Sequence, residues 1–276
     1  MLRRLFSRKT ENPAGAGCAQ AAAPEVGGRM EAPEAARPGP RWPRDGQPDY
    51  AACTFAVRHL SVELPARLEV KGRVHAETCL AASGAIAGVT AQLALIAHLK
   101  EKNDVAILKQ LQTVRTITGG HYFFGEPFNR MLLPVSRADA DGKLWSLAAG
   151  AAIAAGLHPS ELPDPQQMFD RVVSTLGGRR EGVPTVPGQH LPTLPVKPLL
   201  AEVWPVAVMC FAGRFPDEPR EYGVAGTQFW PAIAARVASG LIRQTRSAVD
   251  PRTGLIIVME AAIYASTLTP GVLKSA

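Results

Sequence analysis

From Ala76 to Lys102 the chain runs without proline, and from Thr78 to Ala97 it carries no charged side chain. A stretch of that length has two stable homes, the centre of a helical domain or a lipid bilayer. Leu80, Ile86, Val89, Leu93, Ile96 and Leu99 recur at helical intervals, so the stretch reads as one long helix. Ser83, Thr90, Gln92 and two glycines lower its hydrophobicity, its flanks lack an aromatic belt, and no second span follows. The expectation is therefore a buried central helix. Within it, Gly84-Ala-Ile-Ala-Gly88 has the spacing that lets two helix backbones approach closely, which also makes Gly84 and Gly88 candidates for a self-association face.

Around this helix the sequence predicts a mainly α, multi-helix globular domain over residues 50–276, with one small antiparallel β-hairpin. Residues 1–49 read as a disordered basic arm, because seven prolines and six glycines between Asn12 and Pro48 leave no apolar period that could bury a face. Residues 55–70 are open between helix and strand; Leu60, Val62, Leu64, Leu68 and Val70 alternate, which favours short strands, and Pro65 interrupts them. Thr113 to Phe124 reads as the hairpin, with Gly119-Gly120 as a tight two-residue turn. Further helices are expected at 128–133, 144–156, 165–177, 199–215, 229–247 and 251–267, the last behind Asp250 as N-cap. A long Pro-rich loop occupies about 178–198.

Charge and cysteine usage narrow the function classes. The net charge of +6 is spread along the chain, with eight basic and six acidic side chains in the first 50 residues and no Lys/Arg stripe after Lys9. Nucleic acid is not expected as a partner. Ala, Gly, Pro and Arg are heavily used, a bias that suits a GC-rich bacterial coding sequence. Cys18, Cys53, Cys79 and Cys210 have no paired spacing, so neither a disulfide framework nor a thiolate metal site is expected. The basic start is followed by Thr-Glu-Asn-Pro instead of an apolar signal core, which predicts a cytoplasmic protein. Residues 1–9 supply four cations beside Leu2, Leu5 and Phe6, enough for weak contact with an anionic membrane.

Candidate chemistry is sparse. His75-Ala-Glu77-Thr-Cys79 opens the long helix with an H-x-E, the arrangement zinc nucleobase deaminases use, but a downstream pair of cysteine ligands is missing and no metal is expected. Glu77 also suits the positive end of a helix dipole. His121-Tyr122-Phe-Phe-Gly125, with Asn129 and Arg130 nearby, places a titratable ring at a glycine-bounded turn where ligand sites form. Glu260 interrupts the apolar run Ile256 to Ile263 and so predicts a buried carboxylate, more often ion-paired than catalytic. Walker, nucleophile-elbow and EF-hand patterns are absent.

These observations lean away from an enzyme and predict no cofactor. The leading expectation is an interaction or assembly module that binds itself or another protein. The alternatives are a small-molecule-binding or deaminase-like protein with a pocket near His75, Glu77 and His121, and peripheral membrane attachment through residues 1–9.

Overall fold

A computed structural model describes residues 42–269, apart from 117, 137–138 and 215–222. The membrane-contact segment 1–9, Cys18 and most of the arm lie outside the described residues.

The first helix, α1 (Pro48–Arg67), starts on proline, whose fixed φ suits a first helical turn. It buries Ala52, Cys53, Ala56, Leu60 and Leu64 and leaves Val62 62% exposed. This corrects the preference for strands over 55–70. Leu60, Leu64 and Leu68 satisfy a period of four as well as a period of two, and burial selects the helical face while Val62 and Val70 point outward. A small hairpin follows, β1 (Glu69–Val70) paired with β2 (Arg73–Val74), and Lys71 and Gly72 both adopt positive φ (53° and 74°). That is the two-residue turn whose twist matches antiparallel strands.

The long helix is α2 (Ala76–Lys102). His75 caps its start, Glu77 sits in the first turn, Lys100 and Lys102 in the last, and Asn103 ends it in the left-handed region (φ 50°). A four-residue turn of helix, α3 (Val105–Leu108), leads to β3 (Gln112–Arg115) and β4 (His121–Phe124). Their register pairs Gln112 with Phe124 and Arg115 with His121. The connection is longer than the two residues expected: Thr116 N–H reaches the Gly120 carbonyl at 2.9 Å, and only Gly119 of the glycine pair takes positive φ.

Five helices complete the order: α4 (Glu126–Leu132), α5 (Leu144–Ala154), α6 (Pro165–Thr175), α7 (Val196–Phe211) and α8 (Trp230–Gln244), before the C-terminal α9 (Pro251–Thr267). Asp250 caps α9 by accepting the Arg252 and Thr253 N–H groups. From Gly254 to Thr267 every residue of α9 is buried, as are most of α2 from Glu77 to Leu95. These two helices form the centre, and α1, α5, α6, α7 and α8 surround them. Trp204, Phe211 and Trp230 pack together where α7 meets α8, with Phe211 stacked on Trp230 at 4.6 Å.

Gly84 and Gly88 face α9. A methyl group at Gly84 would collide with the Val258 carbonyl, and at Gly88 with the Ala262 carbonyl. The close-packing face is therefore used within the chain, which corrects its reading as a surface for self-association. Among the described residues α2 is the one helix long and apolar enough to cross a membrane, and its apolar length is buried by its neighbours.

Candidate functional site

The long segment between α6 and α7 has one short 3-10 turn as its regular structure, yet it is fastened at several points. Gly177 N–H donates to Glu181 Oε2 at 2.8 Å, Tyr264 O–H donates to Glu181 Oε1 at 2.5 Å, and Tyr122 O–H adds a third bond. Thr185 N–H donates to Glu260 Oε2 at 2.6 Å, and Val196 N–H to the Gly182 carbonyl at 2.9 Å. The segment is a strap laid over α9, and it continues to the start of α2.

There the strap makes a short 3-10 turn, Gly188–His190, and places His190 Nδ1 2.9 Å from Glu77 Oε1. Thr193 N–H donates to Thr78 Oγ1 at 3.0 Å, and the two threonine hydroxyls lie 3.0 Å apart. A carboxylate only accepts, so in its neutral form His190 carries its proton on Nδ1 and leaves Nε2 as the ring's acceptor. His75 is fixed the other way. Its Nδ1 receives the Thr78 N–H at 3.3 Å and approaches Thr78 Oγ1 at 2.9 Å, so its proton sits on Nε2. Glu77 Oε2 is 3.5 Å from His75 Nδ1 and becomes an ion-pair partner when that ring is protonated. One buried carboxylate thus stands between two histidines with opposite proton positions.

Next to this cluster lies a groove of about 520 Å³. Its walls come from the end of α1 (Arg67, Leu68), the β1–β2 hairpin, His75 and Thr78 of α2, Thr193 and Leu194 of the strap, and Glu202 of α7. Glu77 and His190 are not in the wall; they back His75, Thr78 and Thr193, which are. The volume falls in the range of small-molecule sites, and the wall mixes apolar and charged groups as such sites do.

The other candidates separate from this place. Tyr122 is 5% exposed and its hydroxyl is spent on Glu181. Asn129 and Arg130 turn toward Glu126 at 3.5 and 3.3 Å, within their own helix. His121 is exposed at the start of β4. None of them lines the groove, which corrects the expected pocket shared by His75, Glu77 and His121: the hairpin that carries His121 and Tyr122 packs against α9 and, through Phe123, against Leu95 and Leu99 near the far end of α2, not at its start. Cys79 is buried and its thiol is pushed up to about 11 by that burial, so it is a core residue. Among the described residues no three His, Cys, Asp or Glu side chains converge to hold a metal.

Glu260 is 3% exposed and lines a separate, much smaller cavity with Arg171, Thr185 and Tyr264. Its Oε1 has no hydrogen bond among the described residues and lies 3.9 Å from Arg171 Nη1. Burial raises its pKa, against the Thr185 hydrogen bonds and the charges of Arg171 and Arg180. For Glu181 burial also pushes upward, but the Tyr264, Tyr122 and Gly177 hydrogen bonds and the Lys197 charge outweigh it and hold the carboxyl below its usual range. Both carboxylates serve the strap.

His190 is the residue that sequence reasoning missed. It lies 113 positions from Glu77, in a segment legible only as Pro- and Gly-rich, and no spacing links the two. The Lys71-Gly72 turn that shapes the groove did leave a signal, an X-Gly pair within Val70-Lys-Gly-Arg-Val74. Comparison with protein-family models, curated proteins and solved structures finds no match to this chain.

Proposed function

We propose that this is a small-molecule-binding protein whose ligand occupies the groove at the start of α2. The observation that carries it is the convergence of four elements and the strap on one 520 Å³ groove with a histidine–carboxylate–histidine cluster against its wall. His75 is the ring offered to a ligand, Thr78 being taken up by His75 and Thr193, and Glu77 stands behind His75 to accept or stabilise a proton passed to that ring. The Glu77–His190 bond holds the strap wall in place. An assembly role through Gly84 and Gly88 has lost its surface, because both glycines are packed on α9.

The test is a thermal-shift screen of the full chain against polar metabolites, repeated with Val74→Trp. Val74 is 45% exposed in the groove wall, so the larger ring fills the groove without entering the core. A ligand at a hundred times its Kd stabilises by about 2.7 kcal/mol. Stabilisation that the Val74→Trp variant abolishes is the expected result; stabilisation that survives it, or none across the panel, refutes the proposal.

A further inference from the structure

Four charged residues line the groove: Arg67 in the last turn of α1, Glu69 on β1 and Arg73 on β2, all three exposed, and the half-buried Glu202 on α7. None of the four makes a hydrogen bond or an ion pair with any described residue. Some opposite charges elsewhere do meet, Arg130–Glu126 at 3.3 Å, Lys102–Glu101 at 2.9 Å and Lys143–Asp139 at 3.6 Å. Two cations and two anions around one cavity, all unmated, suit a ligand that brings one charge of each sign. A purely anionic ligand would meet two carboxylates, and a purely cationic one two guanidiniums, with like-charge repulsion in either case. Leu68, Val70, Val74 and Leu194 supply apolar wall between the charges.

We infer that the groove takes a zwitterion of amino-acid to dipeptide size, its carboxylate on Arg67 and Arg73 and its ammonium on Glu69 and Glu202, which rests on the small-molecule reading above. A planar carboxylate matches the guanidinium fork in two parallel hydrogen bonds, and an ammonium donates three. A hydrocarbon side chain between them covers the apolar wall. His75 then stands at the polar edge of the ligand, with Glu77 behind it.

Calorimetric titration of the full chain with L-leucyl-L-leucine, its N-acetyl derivative and its C-terminal amide tests this. The unmodified dipeptide binds and each cap weakens it about tenfold or more, one charged contact being lost. Glu202→Gln reduces the preference for the free amine, and Arg73→Gln the preference for the free carboxylate, Glu69 and Arg67 keeping the remainder; both side chains are outside the core, so circular dichroism should show both variants folded. Equal binding of capped and free peptides, or preferences unchanged in both variants, overturns the inference. So does no binding by any of the three. If the peptides fail while other small molecules still give stabilisation sensitive to Val74→Trp, the ligand class is wrong and the groove is right. If nothing gives such stabilisation, both fall.

Discussion

The contact between α2 and α9 and the seam between the strap and α2 use opposite physics. Along α2 and α9 the chain brings two backbones together over glycine and alanine; Ser83 and Thr90 bond to carbonyls of their own helix, those of Leu80 and Ile86, and Gln92, near the far end, donates across to the Ser266 and Leu268 carbonyls. Along the seam, fixed side-chain bonds join residues more than 70 positions apart: Glu260 to Thr185, Glu181 to Tyr264, Glu77 to His190, Thr78 to Thr193. The first region has no room and no charge on its contact face; the second has polar atoms and a groove beside it. Stability is concentrated in one and chemistry in the other, which is the division expected when a rigid scaffold positions a loop-built site.

Substitutions that attack each region sharpen the contrast. Gly88→Val forces a side chain into the Ala262 backbone, which cannot move without separating the two central helices. It should cost about 3 kcal/mol or more in urea denaturation. Gly150→Ala in α5, where a methyl group meets nothing within 4 Å, should stabilise by about 0.5–1 kcal/mol and shows that glycine as such is not required. Equal effects of the two would mean that α2 and α9 are not in close contact.

In the seam, Tyr264→Phe removes the donor to Glu181 and leaves a half-buried carboxylate with fewer partners. The expected loss is about 1–3 kcal/mol, and hydrogen exchange should quicken through the strap while α2 and α9 keep their protection. An unchanged strap would show that Glu181 is not one of its fastenings.

The two strap carboxylates should also titrate with opposite sign. Glu260 has a raised pKa, so the folded protein holds its proton more tightly and stability falls as pH rises from the usual carboxylate range through the raised value. Glu181 has a lowered pKa, so its contribution is present above the usual range and lost as pH falls through the lowered value. Denaturation curves against pH should therefore flatten on the upper side in Glu260→Gln, which keeps an acceptor for Thr185, and on the acid side in Glu181→Gln. Parallel shifts in both variants would remove the distinction between them.

What could be read in advance follows the same line. The ends of α2 and α9 are written locally, in His75 and Asn103 for one and Asp250-Pro251 for the other, and the small-residue spacing at Gly84 and Gly88 announces a close helix contact without saying with whom. α1 was ambiguous because Leu60, Leu64 and Leu68 fit both periods, and only burial decides. The H-x-E at His75 and Glu77 marked the right end of α2, but the third member of the cluster came from the strap. A segment with no period has no register, so nothing in its sequence says which of its residues will reach a helix start 113 positions earlier.

The proton on His190 tests most directly whether the strap builds this site. Long-range proton–nitrogen correlation spectra of the nitrogen-15-labelled full chain, assigned with His190→Gln, distinguish the neutral tautomers. Glu77 as the acceptor requires the proton on Nδ1 of His190, and Glu77→Ala, which removes the acceptor, should return the ring to the ordinary mixture. A His190 with its proton on Nε2, unaffected by the change at Glu77, would mean that the strap does not dock on α2 and that the groove loses one of its walls.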